Sequence, residues 1–120
     1  MCKFLESVRC ASNGIRYALA NEKNIRVHLI FFILVVIASI ILGISKIEFL
    51  LILCISAVLF SLELINTAIE RLADKVSPEY SEQIGLVKDL MAGAVLASSI
   101  FAAIIGLIIF FEPVLKFFQR

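Results

Sequence analysis

Residues 29–44 read LIFFILVVIASIILGI and contain no charged side chain. Two similar stretches follow: residues 47–65, with Glu48 and Glu63 near the ends, and the uncharged residues 90–111. A helix needs about 20 mostly apolar residues to cross the hydrocarbon core of a bilayer at about 1.5 Å per residue. The sequence therefore predicts three transmembrane helices, with spans at about residues 27–44, 47–70 and 88–111.

The composition agrees with a membrane protein. Of the 120 residues, 62% are hydrophobic and 18% are charged, whereas a soluble domain is about 45–50% apolar and about 25% charged. A soluble bundle of three such apolar helices is disfavoured, because little polar surface would face water. We expect a single domain over residues 1–120. The net charge of +1 gives no reason to expect a nucleic acid as partner. Three cysteines without a CxxC pair predict neither a disulfide framework nor a metal site.

The basic residues predict the orientation in the membrane. Eight lysines and arginines precede the first span or lie between the second and third spans, and three lie on the opposite side, at Lys46, Lys116 and Arg120. Because basic loops stay in the cytoplasm, we expect the N-terminus and the second loop to be cytoplasmic. The first hairpin, at residues 43–46, is short, so the first two spans should pack as antiparallel neighbours.

The segment before the first span has a helical pattern. Its apolar residues recur at spacings of three and four, and polar and charged residues fill much of the remainder; the apolar set is Phe4, Val8, Ala11, Ile15 and Leu19. This pattern predicts an amphipathic helix over about residues 1–20 in the cytoplasmic membrane surface. Periodicity favours a simple anchor over the alternative, a surface helix beside a lipid-access site.

The most informative polar residues lie at the end of the second span, in ELINTAIE at residues 63–70. At about 100° per residue, a helix places Glu63, Asn66, Glu70 and Asp74 on one narrow stripe. Glu63 and Glu70 are then about 10 Å apart along the axis. A carboxylate in this zone costs several kcal/mol unless it is paired or protonated. We interpret the stripe as a functional site; the alternative is simple pairing with basic residues of neighbouring helices.

Two other polar segments should lie at the same depth: residues 21–28 before the first span, and Lys88-Asp89 before the third. Acidic oxygens near a lysine suit a Mg²⁺–nucleotide complex, because hard oxygens hold the metal and an ammonium neutralises phosphate charge. A P-loop is excluded, since no GxxxxGK[ST] motif occurs. We interpret His28 as a hydrogen-bonding residue rather than a metal ligand, because it has no cysteine or histidine companions.

Three segments resemble the prokaryotic diacylglycerol kinase and undecaprenol kinase family: ELINTAIE at 63–70, EKNIRVH at 22–28 and KDLMAGAV at 88–95. The resemblance covers roughly residues 3–111, and its ExxNxAxE element is specific. It implies a lipid kinase of the bacterial cytoplasmic membrane, built as a homotrimer of three-span subunits with active sites between subunits. ATP would be the phosphate donor, Mg²⁺ the cofactor and a membrane lipid alcohol the acceptor.

The resemblance also implies roles for single residues. Glu63 would be the general base that accepts the proton of the lipid hydroxyl, and Asn66 would position Glu63 or that hydroxyl. Glu22 and Glu70 would hold Mg²⁺ on the ATP phosphates. Other nucleotide contacts would come from a group of residues near the cytoplasmic face: Lys88, directed at phosphate, with Asp89, Glu79, Tyr80 and Lys3. No role is assigned to Cys10, which stands where some members have a tyrosine.

The resemblance leaves two acceptors open. His28 and the Ala-Gly-Ala run at residues 92–94 are more similar to the undecaprenol kinase branch, whereas the SPEY loop at residues 77–80 is closer to the diacylglycerol kinase branch. We favour undecaprenol slightly, with diacylglycerol as the alternative. A small multidrug-type transporter also has an intramembrane glutamate, but it usually has four spans and a glutamate at mid-membrane, whereas Glu63 lies near the cytoplasmic end. That reading is therefore disfavoured.

Overall fold

The computed structural model describes residues 2–119 of the chain. Met1 and Arg120 lie outside this range, and the side chain of Cys2 is not described either. Met1 is the first residue of the predicted surface helix, and Arg120 is one of the basic residues used to predict the orientation. Within the range the chain forms four helices: α1 (Cys2–Asn21), α2 (Lys23–Leu42), α3 (Lys46–Val76) and α4 (Glu82–Phe118). Of these, α2, α3 and α4 are long and apolar enough to cross a membrane. The predicted all-α membrane fold is confirmed.

The hairpin between α2 and α3 is fixed by local backbone chemistry. Gly43 ends α2 with a φ of 64°, a left-handed conformation that disfavours side chains bearing a Cβ. The N–H groups of Gly43 and Ile44 both donate to the carbonyl of Ser39. Ser45 and Glu48 then form a capping box at the start of α3. These contacts hold α2 and α3 as antiparallel neighbours.

Helices α3 and α4 are longer than a bilayer requires. Their 31 and 37 residues correspond to about 46 Å and 55 Å, against a hydrocarbon core of about 30 Å. They extend beyond the predicted spans, and the connection between them shortens to residues 77–81. Helix α4 also continues through Pro113, at the expense of one backbone hydrogen bond. The last three turns of α3 therefore project beyond the apolar zone.

Packing within the subunit is sparse. The most extensive association is between α3 and α4, and the buried apolar residues in the described range are few: Ala18, Ile25, Ile52, Ala73 and Ile109. Large apolar side chains on the spans stay exposed, among them Ile40 at 74% and Ile108 at 73%. Such a surface suits lipid or other membrane helices rather than water. This observation counts against the soluble bundle.

Helix α1 contacts α2 and α3 and is anchored near its C-terminal end, where Ala18 is buried. The Arg26 guanidinium donates to the carbonyls of Leu19 and Ala20 at 3.1 and 2.8 Å, which satisfies acceptors that a helix end leaves free. The apolar side chains at the other end, Phe4 and Leu5, are exposed, as expected for a helix whose apolar face meets a membrane surface.

Candidate functional site

The polar residues of the stripe on α3 differ in burial along the helix. Glu63 and Asn66 are buried, at 3% and 8% exposure; Glu70 is half-buried, and Asp74 is exposed. Glu70 lies seven positions beyond Glu63, about 10 Å along the helix axis. The stripe therefore leads from a buried carboxylate to a water-accessible one. We refer to the end of the bundle formed by the α1–α2 junction, residues 63–76 of α3 and the first turns of α4 as the polar end.

Glu63 has a partner on the neighbouring helix. His28 Nε2 of α2 lies 3.2 Å from Glu63 Oε1, with side-chain exposures of 22% and 4%. One turn along α3, Asn66 Oδ1 is buried and accepts no hydrogen bond from the described residues. A buried acceptor without a donor costs about 1–3 kcal/mol, so the Asn66 side chain is not fully satisfied by the part of the chain that the structure describes.

Glu22 lies between α1 and α2, where it makes an ion pair with Arg71 of α3. The Nη2–Oε1 distance is 2.9 Å, and the Arg71 guanidinium also stacks on the Tyr17 ring, 5.5 Å from its centroid. The ion pair joins the α1–α2 junction to α3. It brings Glu22 beside the turn of α3 that carries Glu70, because Arg71 directly follows Glu70 in the chain.

Lys88 of α4 also reaches α3. Its ammonium donates to the Asp74 carboxylate, one turn beyond Glu70 on the same helix. Side chains from residues 21–28 and from the start of α4 therefore both reach the end of α3, through the Glu22–Arg71 and Lys88–Asp74 pairs. Within residues 2–119 no group of three or more His, Cys, Asp and Glu side chains is arranged to hold a metal ion.

Four predicted nucleotide-contacting residues lie on the subunit surface. Lys3 is exposed near the start of α1, and Asp89 is exposed on α4 beside Lys88. Glu79 and Tyr80 belong to the short α3–α4 connection, where Ser77 Oγ donates to the Glu79 carbonyl, and Tyr80 is 92% exposed. The subunit does not bring these four side chains together with the ion pairs on α3.

An apolar groove of about 1330 Å³ runs between α2, α3 and α4. Its walls are mostly aliphatic and aromatic, including Phe32, Phe60 and Phe110, with Ser56 and Ser99 as polar exceptions. Among the described residues that line it, His28 is the one with a titratable side chain. The groove therefore reaches the His28–Glu63 pair through the imidazole.

Three partners in the site were not identified from the sequence: His28 for Glu63, Arg71 for Glu22 and Asp74 for Lys88. A signal for the first exists. Residues equally far from the short hairpin lie opposite each other on the two antiparallel helices. The residue of α3 opposite His28 by this rule lies within about one helical turn of Glu63. No comparable signal selects Arg71 over its neighbours, because a long arginine side chain reaches several positions.

These features define a class: a three-span membrane protein with a buried carboxylate where an apolar groove meets a charged, water-accessible cluster. A model of the family described as prokaryotic diacylglycerol kinase matches residues 9–110. The chain belongs to this family, and it is a lipid kinase by class.

Similar proteins carry two names. The chain is 36% identical over 113 residues to a diacylglycerol kinase of Synechocystis, covering 93% of this chain and 65% of that protein. It is 34% identical over 108 residues to the undecaprenol kinase of Bacillus subtilis, covering 90% of this chain and 88% of the relative. It is 32% identical over 91 residues to the diacylglycerol kinase of Escherichia coli K12, covering 76% of this chain and 75% of the relative. The similar identities do not select one acceptor.

Proposed function

We propose that this protein transfers the γ-phosphate of ATP to the hydroxyl of a membrane lipid alcohol, with undecaprenol favoured and diacylglycerol as the alternative. The supporting observation is the burial of Glu63, whose side chain is 4% exposed, on a stripe that continues to the half-buried Glu70. Glu63 lies about 24 Å along α3 from the start of the span, near the inner edge of a hydrocarbon core of about 30 Å. A lipid hydroxyl at this boundary can meet the carboxylate while its chain stays in the bilayer.

Glu63 and Asn66 would act on the acceptor. Glu63 takes the hydroxyl proton as general base, and Asn66, whose buried Oδ1 has no partner among the described residues, positions Glu63 or the hydroxyl oxygen by donating from its Nδ2 amide. Phosphoryl transfer requires alignment and charge neutralisation more than covalent chemistry by the protein. A base held on a rigid helix beside an apolar groove supplies alignment on the acceptor side.

The carboxylates nearer water suit a magnesium ion. Glu22 and Glu70 offer hard anionic oxygens on neighbouring elements, which is the donor chemistry that Mg²⁺ prefers together with water and substrate phosphates. These two residues would hold the ion, and when bound it would neutralise charge on the ATP phosphates. Lys88 would add a cation toward phosphate, and Asp89, Glu79, Tyr80 and Lys3 would contact the rest of the nucleotide. Arg71 would then compete with the metal for the Glu22 carboxylate, whose Oε1 it holds.

The assembly we propose is a homotrimer with active sites between subunits. Its support is the family, together with the exposed apolar surface of the spans and the surface positions of the nucleotide-contacting residues. The small side chains of α4, such as Ala97 and Gly106, permit close helix contact. The family supports a bacterial cytoplasmic membrane, and the basic residues of the N-terminal segment, of the end of α3 and of the start of α4 favour an orientation with the polar end in the cytoplasm.

A direct acceptor assay tests this function. Purified protein in lipid nanodiscs receives Mg²⁺, γ-labelled ATP, and undecaprenol and diacylglycerol at equal mole fractions. We expect labelled undecaprenyl phosphate to form faster than labelled phosphatidic acid, and EDTA to stop both. Label on diacylglycerol alone selects the alternative acceptor. Label on neither lipid, under conditions where a family member is active, contradicts the proposed kinase activity.

A further inference from the structure

Glu63 is paired with a residue that has no role in the function proposed above. His28 Nε2 lies 3.2 Å from Glu63 Oε1, and the pair joins α2 to α3. The other ion pairs in residues 2–119 use Glu22, Asp74 and Glu112 as their acidic members. Within the part of the chain that the structure describes, His28 is therefore the one basic side chain paired with Glu63.

The His28 imidazole also faces the apolar groove. His28 forms part of the wall of the apolar groove between α2, α3 and α4, whereas Glu63 is not among the residues that line it. Its side chain is 22% exposed, compared with 4% for Glu63. The imidazole thus contacts both the groove and the carboxylate.

We propose that His28 is a positioning residue for the transfer reaction: its Nε2–H donates to Glu63 Oε1 and so presents Oε2 to the acceptor hydroxyl. This inference rests on the proposed role of Glu63 as the base. In the reaction, the acceptor O–H proton passes to Glu63 Oε2 as the bond from the acceptor oxygen to the γ-phosphorus forms. The bond from that phosphorus to the β–γ bridging oxygen breaks, and ADP leaves. His28 keeps its own proton throughout.

A purely structural role predicts something different. A histidine that only compensates the buried charge would matter for folding, and activity would fall in step with the folded fraction. A positioning residue instead affects turnover in protein that is folded and binds ATP. The two roles are separable because Glu70, a candidate metal ligand, lies about 10 Å from Glu63 along α3.

The discriminating variants are His28→Gln and His28→Leu. A glutamine side-chain amide can occupy nearly the position of imidazole Nε2 and donate to Glu63, whereas leucine fills similar space and has no donor. We expect His28→Leu to lower kcat by roughly 10²-fold, the scale for losing alignment of a reacting group, with the KM for ATP unchanged. His28→Gln should recover most of kcat. Ser39→Ala is the matched control, since Ser39 is another buried polar residue of α2 and its hydroxyl donates to the Val35 carbonyl of the same helix.

Combining His28→Leu with Glu63→Gln completes the test. If His28 acts through Glu63, the double variant should be no slower than Glu63→Gln alone, because residues acting as one unit are non-additive. Turnover, ATP binding and oligomeric mass are measured on each preparation. Normal kcat in His28→Leu, equal losses in the Gln and Leu variants, multiplied losses in the double variant, or a loss that tracks the folded fraction would each overturn the inference. Near-normal turnover in Glu63→Gln alone would instead overturn the proposed base.

Discussion

Replacing Glu63 by glutamine tests the proposed chemistry most directly. Glutamine keeps the shape of this buried side chain, and its carbonyl oxygen can still face His28 Nε2, 3.2 Å from Oε1 in the native pair; the helix contact should survive. The glutamine amide cannot take up the proton of the lipid hydroxyl. Loss of a general base lowers rates by roughly 10² to 10⁴-fold, equivalent to about 3–5 kcal/mol in the barrier. ATP binding should persist, because the proposed metal ligand Glu70 lies about 10 Å away along the axis.

The assay compares initial rates of lipid phosphorylation, ATP affinity and oligomeric mass on one preparation in nanodiscs. Glu112→Gln is the matched control: it also neutralises a carboxylate, but Glu112 lies near the far end of α4 and is 77% exposed in its pair with Lys116. We expect the control to turn over normally. A Glu63→Gln oligomer that binds ATP but transfers at a near-normal rate would refute the reasoning. A rate that falls only in proportion to lost oligomer would assign Glu63 a structural role.

Three further predictions concern the metal, the orientation and the hairpin. Glu22→Gln and Glu70→Gln should each raise the Mg²⁺ concentration needed for half-maximal activity, since each removes a hard anionic ligand; unchanged Mg²⁺ titrations in both would exclude these residues. In a background without native cysteines, Lys46→Cys should react with a membrane-impermeant thiol reagent from outside whole cells and Gln83→Cys only after permeabilisation, and the reverse pattern would overturn the orientation. Gly43→Ala should destabilise the protein by about 1–2 kcal/mol because of its positive φ, whereas Gly14→Ala, inside α1 with open space at its Cβ position, should not; thermal unfolding in detergent measures both.

The sequence predicts the spans well because hydrophobicity reports directly on the hydrocarbon core. It does not predict the helix ends as well, since a helix continues into water wherever its backbone hydrogen bonds persist. Helix α3 runs to Val76 and α4 begins at Glu82, so most of the predicted loop is helical. The apolar pattern ends at the membrane boundary and carries no information about those extra turns.

The sequence likewise predicts some features of the candidate site and does not predict others. The periodicity of α3 is local, so it predicts correctly that Glu63, Asn66 and Glu70 share a face; their burial depends on the packing of neighbouring helices against that face. The cross-helix pairs depend on the axial offset of neighbouring helices and on long side chains. Arg71 with Glu22 and Lys88 with Asp74 are such pairs, and a shift of one helical turn, about 5.4 Å, would select other partners. Sequence spacing does not determine that shift.

The Glu22–Arg71 pair affects how the metal prediction should be interpreted. Glu22→Gln removes a candidate ligand, but it also frees the guanidinium that contacts the Tyr17 ring. Arg71→Gln separates these effects because it frees Glu22 without removing a carboxylate. If Glu22 is a metal ligand, Arg71 competes with Mg²⁺ for it, so Arg71→Gln should leave the required Mg²⁺ concentration unchanged or lower it, opposite in sign to Glu22→Gln. If the effect of Glu22→Gln came instead from a displaced Arg71, both variants would raise that concentration. Mg²⁺ titrations of the two variants therefore distinguish a lost ligand from a disturbed junction between α1, α2 and α3.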